Sequence, residues 1–408
     1  RLSSEKIMRV FHPIENRPES MKDPAQSFDI HDFFDEELER RLNLPTADGS
    51  ALPNIAYTSE AFYRFEQQTV FRKSWVFAAF AHQLPDPGDM LPVDIAGQPV
   101  VIVRDEDNII RAFHNVCRHR GAKLIDQFQK NRKSFVCPNH SWSYGLDGRL
   151  NVRPHFFGGE KHDINRDPRH RSDLAKVRCA VWHDWIFINI NGQASEFNEH
   201  IRFIEEQLEN YDFSVLGFAE KLEFDIDANW KLAIENFIEP YHVFSCHPWL
   251  NSFVSMDQRT PPDYHQQILY CGYQFDKTDP ARGEGLPYFP DLTEEQQKRG
   301  DWYVLFPNFA FEIFPDQVDV FIATPESAGR SRETIALYFI GEGASGEHYE
   351  TARRHVIQNW HDLNQEDIGI IERMQAGRAS EGFDGGVLSP YWDPVQQHFA
   401  RLIVTAMC

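Results

Sequence analysis

Apolar positions along the first half of this 408-residue chain fall in short runs separated by polar turns, a pattern typical of β-strands. We predict a leading helix at about 59–66 and strands at 75–80, 100–103, 109–113 and 185–190. The pair of runs around the polar turn at 105–108 is typical of a hairpin. These elements predict a compact, β-rich domain at 73–193, within a first unit of residues 56–193 that includes the leading helix.

The second half, residues 194–408, mixes helical and strand periodicity. Its apolar residues fall on one face of a predicted helix at 196–211, and further elements follow: strands at 221–227, a helix from about Trp230, a β-meander from Tyr303 to Ile340 and helices at 348–379. Strands followed by helices, without βαβ alternation, predict an antiparallel α+β fold. Residues 1–55 are polar and weakly periodic, and we expect an extension that wraps the core or a neighbouring subunit.

The net charge of −21 argues against nucleic acid or an anionic membrane as the main partner. No apolar run approaches the roughly 20 residues of a membrane helix, and the polar start is unlike a signal peptide, so we expect a soluble cytoplasmic protein. Residues 104–178 hold sixteen Lys/Arg against nine Asp/Glu. This basic stretch is interpreted as a solvated face or subunit contact, or alternatively as a docking face for an acidic electron-transfer partner.

Two short segments offer metal ligands of the same kinds. Cys117 and His119 lie in the first, and Cys137 and His140 follow after seventeen intervening residues. Such ligands suit either zinc or an iron–sulfur cluster. In a Rieske centre both cysteines bind one iron and both histidines bind the other. One ligand of each kind per segment therefore favours the cluster, whereas zinc knuckles usually pair like ligands.

A second candidate site contains His242 and His247. On a regular helix, side chains five residues apart point about 140° apart, so these two could not face one metal. Pro240 and Pro248 flank them and predict a distorted or ending helix, which would allow both imidazoles to be re-aimed. Two neutral histidines and one carboxylate can hold an iron with open positions, but spacing alone does not identify the carboxylate.

The residues around both sites resemble one family. The sequences CRHRGA from Cys117 and CPNHSWSYGLDG from Cys137 resemble the Rieske domain of ring-hydroxylating and related oxygenases, although Asn139 and Ser141 replace the more usual Tyr and Gly/Ala. The sequence NWKLAIENFIEPYHVFSCH from Asn229 resembles the iron motif of their catalytic domain. The resemblance implies a Rieske [2Fe–2S] domain followed by an antiparallel, helix-grip-like catalytic domain.

The resemblance also implies roles for individual residues. Cys117, His119, Cys137 and His140 would hold the [2Fe–2S] cluster, and His242, His247 and Asp367 the mononuclear Fe(II). Glu366 is the main rival to Asp367, and Asp362 a distant one. Glu239 would be the acid that bridges the two centres of neighbouring subunits, and its simpler interpretation is an acid that holds His242. Asn236 is a further candidate catalytic residue. Most members have aspartate there, and glutamate is closer to oxygenases of quaternary ammonium compounds such as carnitine and glycine betaine.

The implied activity is that of a terminal oxygenase in a multicomponent system that uses O₂ as co-substrate. Because the sequence contains no flavin or nicotinamide fingerprint, electrons would come from a separate NAD(P)H-dependent reductase of flavin or [2Fe–2S] type. The family favours a homotrimer, and the favoured reaction is hydroxylation or demethylation of a small quaternary ammonium compound. Such a substrate would need an aromatic pocket, for which candidates are Tyr264, Tyr270, Tyr273, Phe275, Trp302, Tyr303 and Phe306.

Two alternatives stay open from the sequence. An aromatic-ring hydroxylating dioxygenase would use the same rings to stack its substrate. A Rieske electron carrier or a zinc-stabilised binding protein would lack the mononuclear iron altogether.

Overall fold

The computed structural model describes residue 31 and residues 33–163, 172–275 and 285–408. Most of the expected extension, at residues 1–30 and 32, lies outside the described residues. The helices in the described part are α1 Glu36–Leu42, α2 Ile55–Thr58, α3 Glu60–Glu66, α4 Phe197–Gln207, α5 Trp230–Ile238, α6 Val243–Cys246, α7 Pro248–Phe253, α8 Glu350–Gly377 and α9 Pro394–Met407. None of the helices found there is both long and apolar enough to cross a bilayer.

The first unit is built from two antiparallel sheets. Its strands are β1 Val76–Phe80, β2 Met90–Ile95, β3 Gln98–Arg104, β4 Ile110–His114, β5 Phe135–Val136, β6 Ser143–Tyr144, β7 Leu150–Val152, β8 Lys176–Trp182 and β9 Trp185–Asn189. Six of them form a sheet of order β1-β9-β8-β4-β3-β2, and β5-β6-β7 form a small second sheet. The strands predicted at 75–80, 100–103, 109–113 and 185–190 are present as β1, β3, β4 and β9.

The second unit is a seven-stranded antiparallel sheet of order β10-β16-β15-β14-β13-β12-β11. Its strands are β10 Leu216–Ile226, β11 Asp263–His265, β12 Ile268–Gln274, β13 Arg299–Leu305, β14 Phe309–Ile313, β15 Gln317–Ser327 and β16 Arg330–Ile340. Helices α5 and α8 pack on one face. The expected α+β class, with a helix-grip-like unit after a β-rich one, is confirmed.

Both faces of this large sheet are covered, which explains why β14 is buried at every position. On one face, residues such as Val304, Phe321 and Leu337 share a core with α5 and α8. On the other face, Phe309, Phe311 and Tyr338 pack against α4 and against Trp185 and Phe187 of the first unit. The two units therefore meet through a continuous aromatic-rich core, and α5 is pressed against the sheet at the point where the chain turns toward His242.

The described N-terminal helices pack with the second unit rather than the first. Leu38 and Leu42 of α1 lie in the same apolar core as α5 and α9, and the Gln397 side chain of α9 donates to the Leu42 carbonyl at 3.0 Å. The predicted leading helix is present as α3, and its last residue, Glu66, forms a buried ion pair with Lys231 of α5. The leading helix thus supports α5, the helix that directly precedes His242 and His247 in the chain.

Candidate metal centres and active site

The first ligand set lies on two loops of similar backbone geometry. Cys117 and Cys137 are both 2 % exposed, and each carbonyl accepts a hydrogen bond from the amide four residues later, at 3.1 Å from Gly121 and 3.0 Å from Ser141. Those two residues have φ values of 75° and 54°. Glycine adopts this left-handed conformation without a steric penalty, whereas a residue with a Cβ does not. Ser141 therefore carries backbone strain at the position where the family usually has a small residue.

The side chains of the two loops face one another at the tip of the domain. The rings of His119 and His140 have centroids 4.8 Å apart, and His119 stacks on Trp142 at 4.7 Å with an interplanar angle of 6°. Tyr144 accepts a hydrogen bond from the Arg118 amide at 3.1 Å, and its hydroxyl lies 3.2 Å from the Cys117 sulfur. Because the tyrosine oxygen already accepts that bond, its proton is free to be donated to the sulfur.

The spacing of these ligand atoms fits two metal ions better than one. Among the described residues, sets of three or more ligand atoms that all lie within 4.8 Å of one another occur at His155, Glu160 and His162 and at His242, His247 and Asp367, but not at the two cysteine loops. Since Zn–S and Zn–N bonds are ~2.0–2.3 Å, one tetrahedral zinc would bring all four atoms within that distance. The thiolate and imidazole donors in this arrangement suit a [2Fe–2S] cluster.

The second ligand set is assembled by an interruption in the helix. His242 has helical backbone angles just before α6, but His247 has φ −122° and ψ 67°, between α6 and α7, where Pro248 opens the next helix. The expected distortion is therefore present at His247. Because of this break, the two rings come within 5.3 Å of each other, and Asp367 of α8 closes the triad. The Oδ1 atom of Asp367 lies 2.9 Å from Nε2 of His247 and 3.4 Å from Nε2 of His242.

Each histidine is held from its far side by a glutamate. Nδ1 of His242 lies 2.8 Å from Glu239, and Nδ1 of His247 lies 2.7 Å from Glu366. Burial lowers the pKa of His247, but its hydrogen bonds to Asp367 and Glu366 outweigh this effect, so the net shift is upward. A carboxylate on Nδ1 fixes the tautomer that presents Nε2 as a lone pair. The donor set therefore fits a divalent iron with two neutral imidazoles and one carboxylate.

The rival carboxylates occupy other places. Glu366 contacts the outer nitrogen of His247 rather than the centre of the triad. Asp362 is exposed and accepts from Gln358 of its own helix, with His361 at 3.2 Å. Glu239 also accepts hydrogen bonds from the backbone amides of Tyr241 at 2.6 Å and His242 at 3.2 Å. One carboxylate therefore holds both the backbone before α6 and the imidazole of His242.

A cavity opens beside the triad, between α5, α8 and the large sheet. Asn236 is buried in its wall. Aromatic rings form much of the lining: Phe237, Tyr273, Trp302, Phe321 and Trp360. Acidic side chains of the lining outnumber its one basic residue, Arg259; they are Glu239, Glu312, Glu333 and Asp367. Aromatic faces together with excess negative charge provide an environment that stabilises a cation.

Only part of the predicted aromatic pocket lines this cavity. Tyr273 and Trp302 do, but Tyr264, Tyr270 and Tyr303 do not, and these three assignments are corrected. Tyr270 and Tyr303 pair across β12 and β13 on the opposite sheet face, since neighbouring strand residues point to opposite faces. Tyr264 stacks on His398 at 3.7 Å. Phe275 and Phe306 also lie outside this lining.

Several cavity residues were not foreseen from the sequence. Glu312, Gln317 and Glu333 project from three adjacent strands, and Asn364 and Trp360 from α8. A charged residue at an inward position of an otherwise apolar strand is the signal that could have identified Glu312 and Glu333. The strand register needed to decide which residues face inward was not available from sequence.

Comparison with known families matches both units. Residues 74–157 match the Rieske [2Fe–2S] domain, and residues 213–408 match the catalytic domain of the ring-hydroxylating alpha subunit. The presence of the catalytic domain rules out a simple electron carrier or a zinc-binding module.

Curated relatives and solved structures agree with this assignment. The carnitine monooxygenase oxygenase subunit of Acinetobacter pittii is 26% identical over 82% of this chain and 86% of its own length. The glycine betaine monooxygenase oxygenase subunit of Pseudomonas aeruginosa is 26% identical over 84% and 86%. A solved quaternary ammonium Rieske monooxygenase has the same fold, with a TM-score of 0.74 and 22% identity over 91% of this chain and 98% of that one. The chain belongs to the Rieske-type non-haem iron oxygenases, as the oxygenase (alpha) subunit.

Proposed function

We propose that this subunit oxidises a quaternary ammonium compound of the betaine type, by hydroxylation or oxidative demethylation. The observation that carries the proposal is the cavity beside His242, His247 and Asp367, in which aromatic rings are combined with an excess of carboxylates. A neutral aromatic ring would be stacked by the same rings but would gain nothing from buried acids. Relatives that oxidise carnitine and glycine betaine support the same substrate class.

The metal centres are proposed to be held as the sequence predicts. Cys117, Cys137, His119 and His140 would hold the [2Fe–2S] cluster, and His242, His247 and Asp367 the mononuclear iron. When loaded, the cluster supplies electrons and the iron supplies dioxygen activation. The protein's own part is to keep the proton of each iron-binding imidazole on Nδ1, through Glu239 and Glu366, and to hold the substrate against Tyr273 and Trp302.

A homotrimer is proposed from two exposed apolar surfaces. Phe156 and Phe157 are exposed near the cluster loops, where Phe156 packs on Trp142. Tyr241 and Phe244 are exposed beside His242. Exposed aromatic patches of this kind mark contact surfaces. Two different patches on one chain fit a head-to-tail ring, in which Glu239 would link each iron site to the cluster of the adjacent subunit.

As the oxygenase subunit of a multicomponent system, the protein works with a separate reductase and a small-molecule substrate. We propose that the reductase is NAD(P)H-dependent, of flavin or [2Fe–2S] type. The basic stretch at 104–178 would be either its docking face or a contact between subunits.

Substrate class is tested by oxygen consumption with the reconstituted subunit and a compatible reductase. We expect consumption, with stoichiometric product, for trimethylammonium betaines and not for small aromatic acids. The opposite preference would replace the proposal with ring hydroxylation.

The metal assignment is tested separately by elemental analysis. About three irons and two acid-labile sulfides per chain are expected. His247→Ala should lose the mononuclear iron but keep the cluster. If that variant retained both the third iron and turnover, the proposed triad would be wrong. The exposed His348→Ala, which lies outside both ligand sets, serves as the matched control.

A further inference from the structure

The carboxyl group of Glu333 lies in the cavity wall on the helix-covered face of the sheet. It is 1 % exposed, and its strand neighbours in the register are Phe224 of β10 and Ala323 of β15. Both neighbours are apolar, and the next inward position on β16 is Ile335. A carboxylate among apolar neighbours loses its hydration, and this cost must be offset by a hydrogen bond or an ion pair.

Within the described part of the chain, neither oxygen of Glu333 has a hydrogen-bond partner of normal geometry, although the side-chain amide of Asn364 lies close enough to lower its pKa. Two further polar atoms of the cavity wall also lack a hydrogen-bond partner of normal geometry: the side-chain carbonyl oxygen of Gln317 and the side-chain amide nitrogen of Asn364. Both residues are also buried, at 0 % and 3 % exposure. Gln317 uses its amide to donate to Asp319, so its free carbonyl is available to a ligand.

Two acids elsewhere in the protein, the buried Glu66 and the half-buried Glu235, have internal hydrogen-bond partners. Glu66 accepts from Lys231 at 2.7 Å, and Glu235 accepts from the Tyr57 hydroxyl at 2.6 Å. Native proteins rarely leave a buried carboxylate without a partner, and such groups mark functional positions. Unlike Glu66 and Glu235, Glu333 lines the cavity, so a bound ligand can act as the partner of its carboxyl group.

The position of Glu333 relative to the iron triad fits a substrate-binding role. Asn364 lies three residues before Asp367 on α8, so the two side chains share one helix face and are one turn apart. Burial raises the pKa of Glu333 to about 8, the amide of Asn364 opposes this rise, and Asp367 adds to it. The influence of Asp367 places the Glu333 carboxyl within electrostatic reach of the iron ligands.

We propose that Glu333, together with Gln317 and Asn364, is the subsite that selects the cationic nitrogen of the substrate. The inference rests on the proposed function and deepens it, because it assigns charge discrimination to one residue. Aromatic faces attract a trimethylammonium group more than a neutral tert-butyl group of the same shape, because only the cation interacts strongly with the ring quadrupole. A buried carboxylate adds to this difference, since only the cation compensates its lost hydration. Glu333 is thus a specificity-determining residue rather than a catalytic one.

The test compares glycine betaine with 3,3-dimethylbutanoate, which replaces the nitrogen with carbon at nearly constant shape. Binding to the metal-loaded subunit is measured by titration calorimetry. The wild type should bind the betaine at least about tenfold more tightly, the range of a charge-assisted contact. Glu333→Gln should lower that preference at least about fivefold, by weakening betaine binding while isostere binding stays within about threefold. Glu333→Asp, which keeps the charge, should retain part of the preference.

Two controls separate recognition from folding. Glu235→Gln removes a half-buried carboxyl that does not line the cavity, and it should leave the preference intact. Glu333→Gln should melt at or above the wild-type temperature without ligand, because it removes a buried carboxylate that has no partner; a structural carboxylate would instead lower the melting temperature.

The possible failures are distinguishable. If the wild type prefers the betaine and Glu333→Gln keeps that preference, the role of Glu333 is overturned and the proposed function stands. If the wild type does not prefer the betaine at all, both the subsite and the quaternary ammonium function are wrong.

Discussion

The buried ion pair between Glu66 and Lys231 gives a prediction whose magnitude follows from the structure. Both side chains are fully buried, with the ammonium 2.7 Å from one carboxylate oxygen. The indole N–H of Trp230 lies 3.4 Å from the other oxygen, and the centroids of the Tyr57, Phe62 and Trp230 rings lie 5.2–5.3 Å from the ammonium. Burial lowers the pKa of Lys231 and raises that of Glu66, and their mutual attraction opposes both shifts.

Removing one partner leaves the other charge buried without compensation. Lys231→Met or Glu66→Leu alone should therefore cost about 3–5 kcal/mol, the range for a broken buried pair. For a unit of this size, each kcal/mol corresponds to about 2–4 °C, so each single variant should melt roughly 6–20 °C lower. The double variant replaces the pair with apolar groups of similar volume and should recover most of the loss. If the double variant loses no more than about 2 kcal/mol, the coupling between the two side chains is about 4 kcal/mol or more.

The assay follows unfolding by tryptophan fluorescence, which reports both units, and the cluster by its visible absorption in the same sample. Since the pair joins α3 to α5, the fluorescence transition should shift. The control is Glu37→Gln with Arg40→Met, an exposed pair on α1 whose loss should not shift the transition measurably. Single variants that melt with the wild type, or a double variant as destabilised as the sum of the singles, would refute the reasoning.

Three further predictions concern single side chains. Ser141→Gly should stabilise its loop by about 1 kcal/mol, because glycine accepts the φ of 54°; slower cluster loss on heating would show it, and faster loss would contradict it. Tyr144→Phe should lower the cluster potential by about 40 mV, since it removes a hydrogen bond worth about 1 kcal/mol to the proposed thiolate ligand; an unchanged redox titration would refute it. The pKa of Glu333 is raised to about 8 from an ordinary 4.5, so its contribution to stability is present below pH 4.5 and is lost as the pH rises to 8. The melting temperature of Glu333→Gln should therefore rise relative to that of the wild type between pH 5.5 and 8. A difference that stays constant with pH would contradict this prediction.

Sequence patterns predicted the elements whose burial is one-sided or continuous. The helix α4 and the strands β1, β9 and β16 were found because their apolar positions repeat with a clear period. The strands β2 and β11 and the helix α9 were missed. β2 contains Pro92 and an exposed Asp94, and all three residues of β11 are exposed, so neither presents a period to recognise. Helix α9 was missed although its apolar residues Val395, Phe399 and Ile403 recur at the four-residue spacing of a helix; it packs against α1 and α5.

The cavity shows where sequence reasoning reaches its limit. In β12 and β13, residues paired across the strands alternate between the cavity and the aromatic core behind the sheet. Cys271 pairs with Trp302 on the cavity side, whereas Tyr270 pairs with Tyr303 on the other. Composition does not indicate which residues of a strand face the cavity, because a shift of one residue in strand register exchanges the two faces of the sheet. The aromatic candidates therefore lie on or beside the correct strands, but five of the seven do not line the cavity.

The carboxylates around His247 illustrate the same limit at the scale of one imidazole. Glu366 and Asp367 are adjacent on α8, and both contact His247, one at Nδ1 and the other at Nε2. A motif of adjacent acids is therefore equally compatible with either as the iron ligand. What separates them is the second histidine: Nε2 of His242 lies 3.4 Å from Asp367, while its Nδ1 is taken by Glu239. Of these two acids, only Asp367 lies within 3.4 Å of Nε2 of both histidines. This contact depends on the break in the helix at His247. The flanking prolines predict that break but not the direction in which it turns the imidazole.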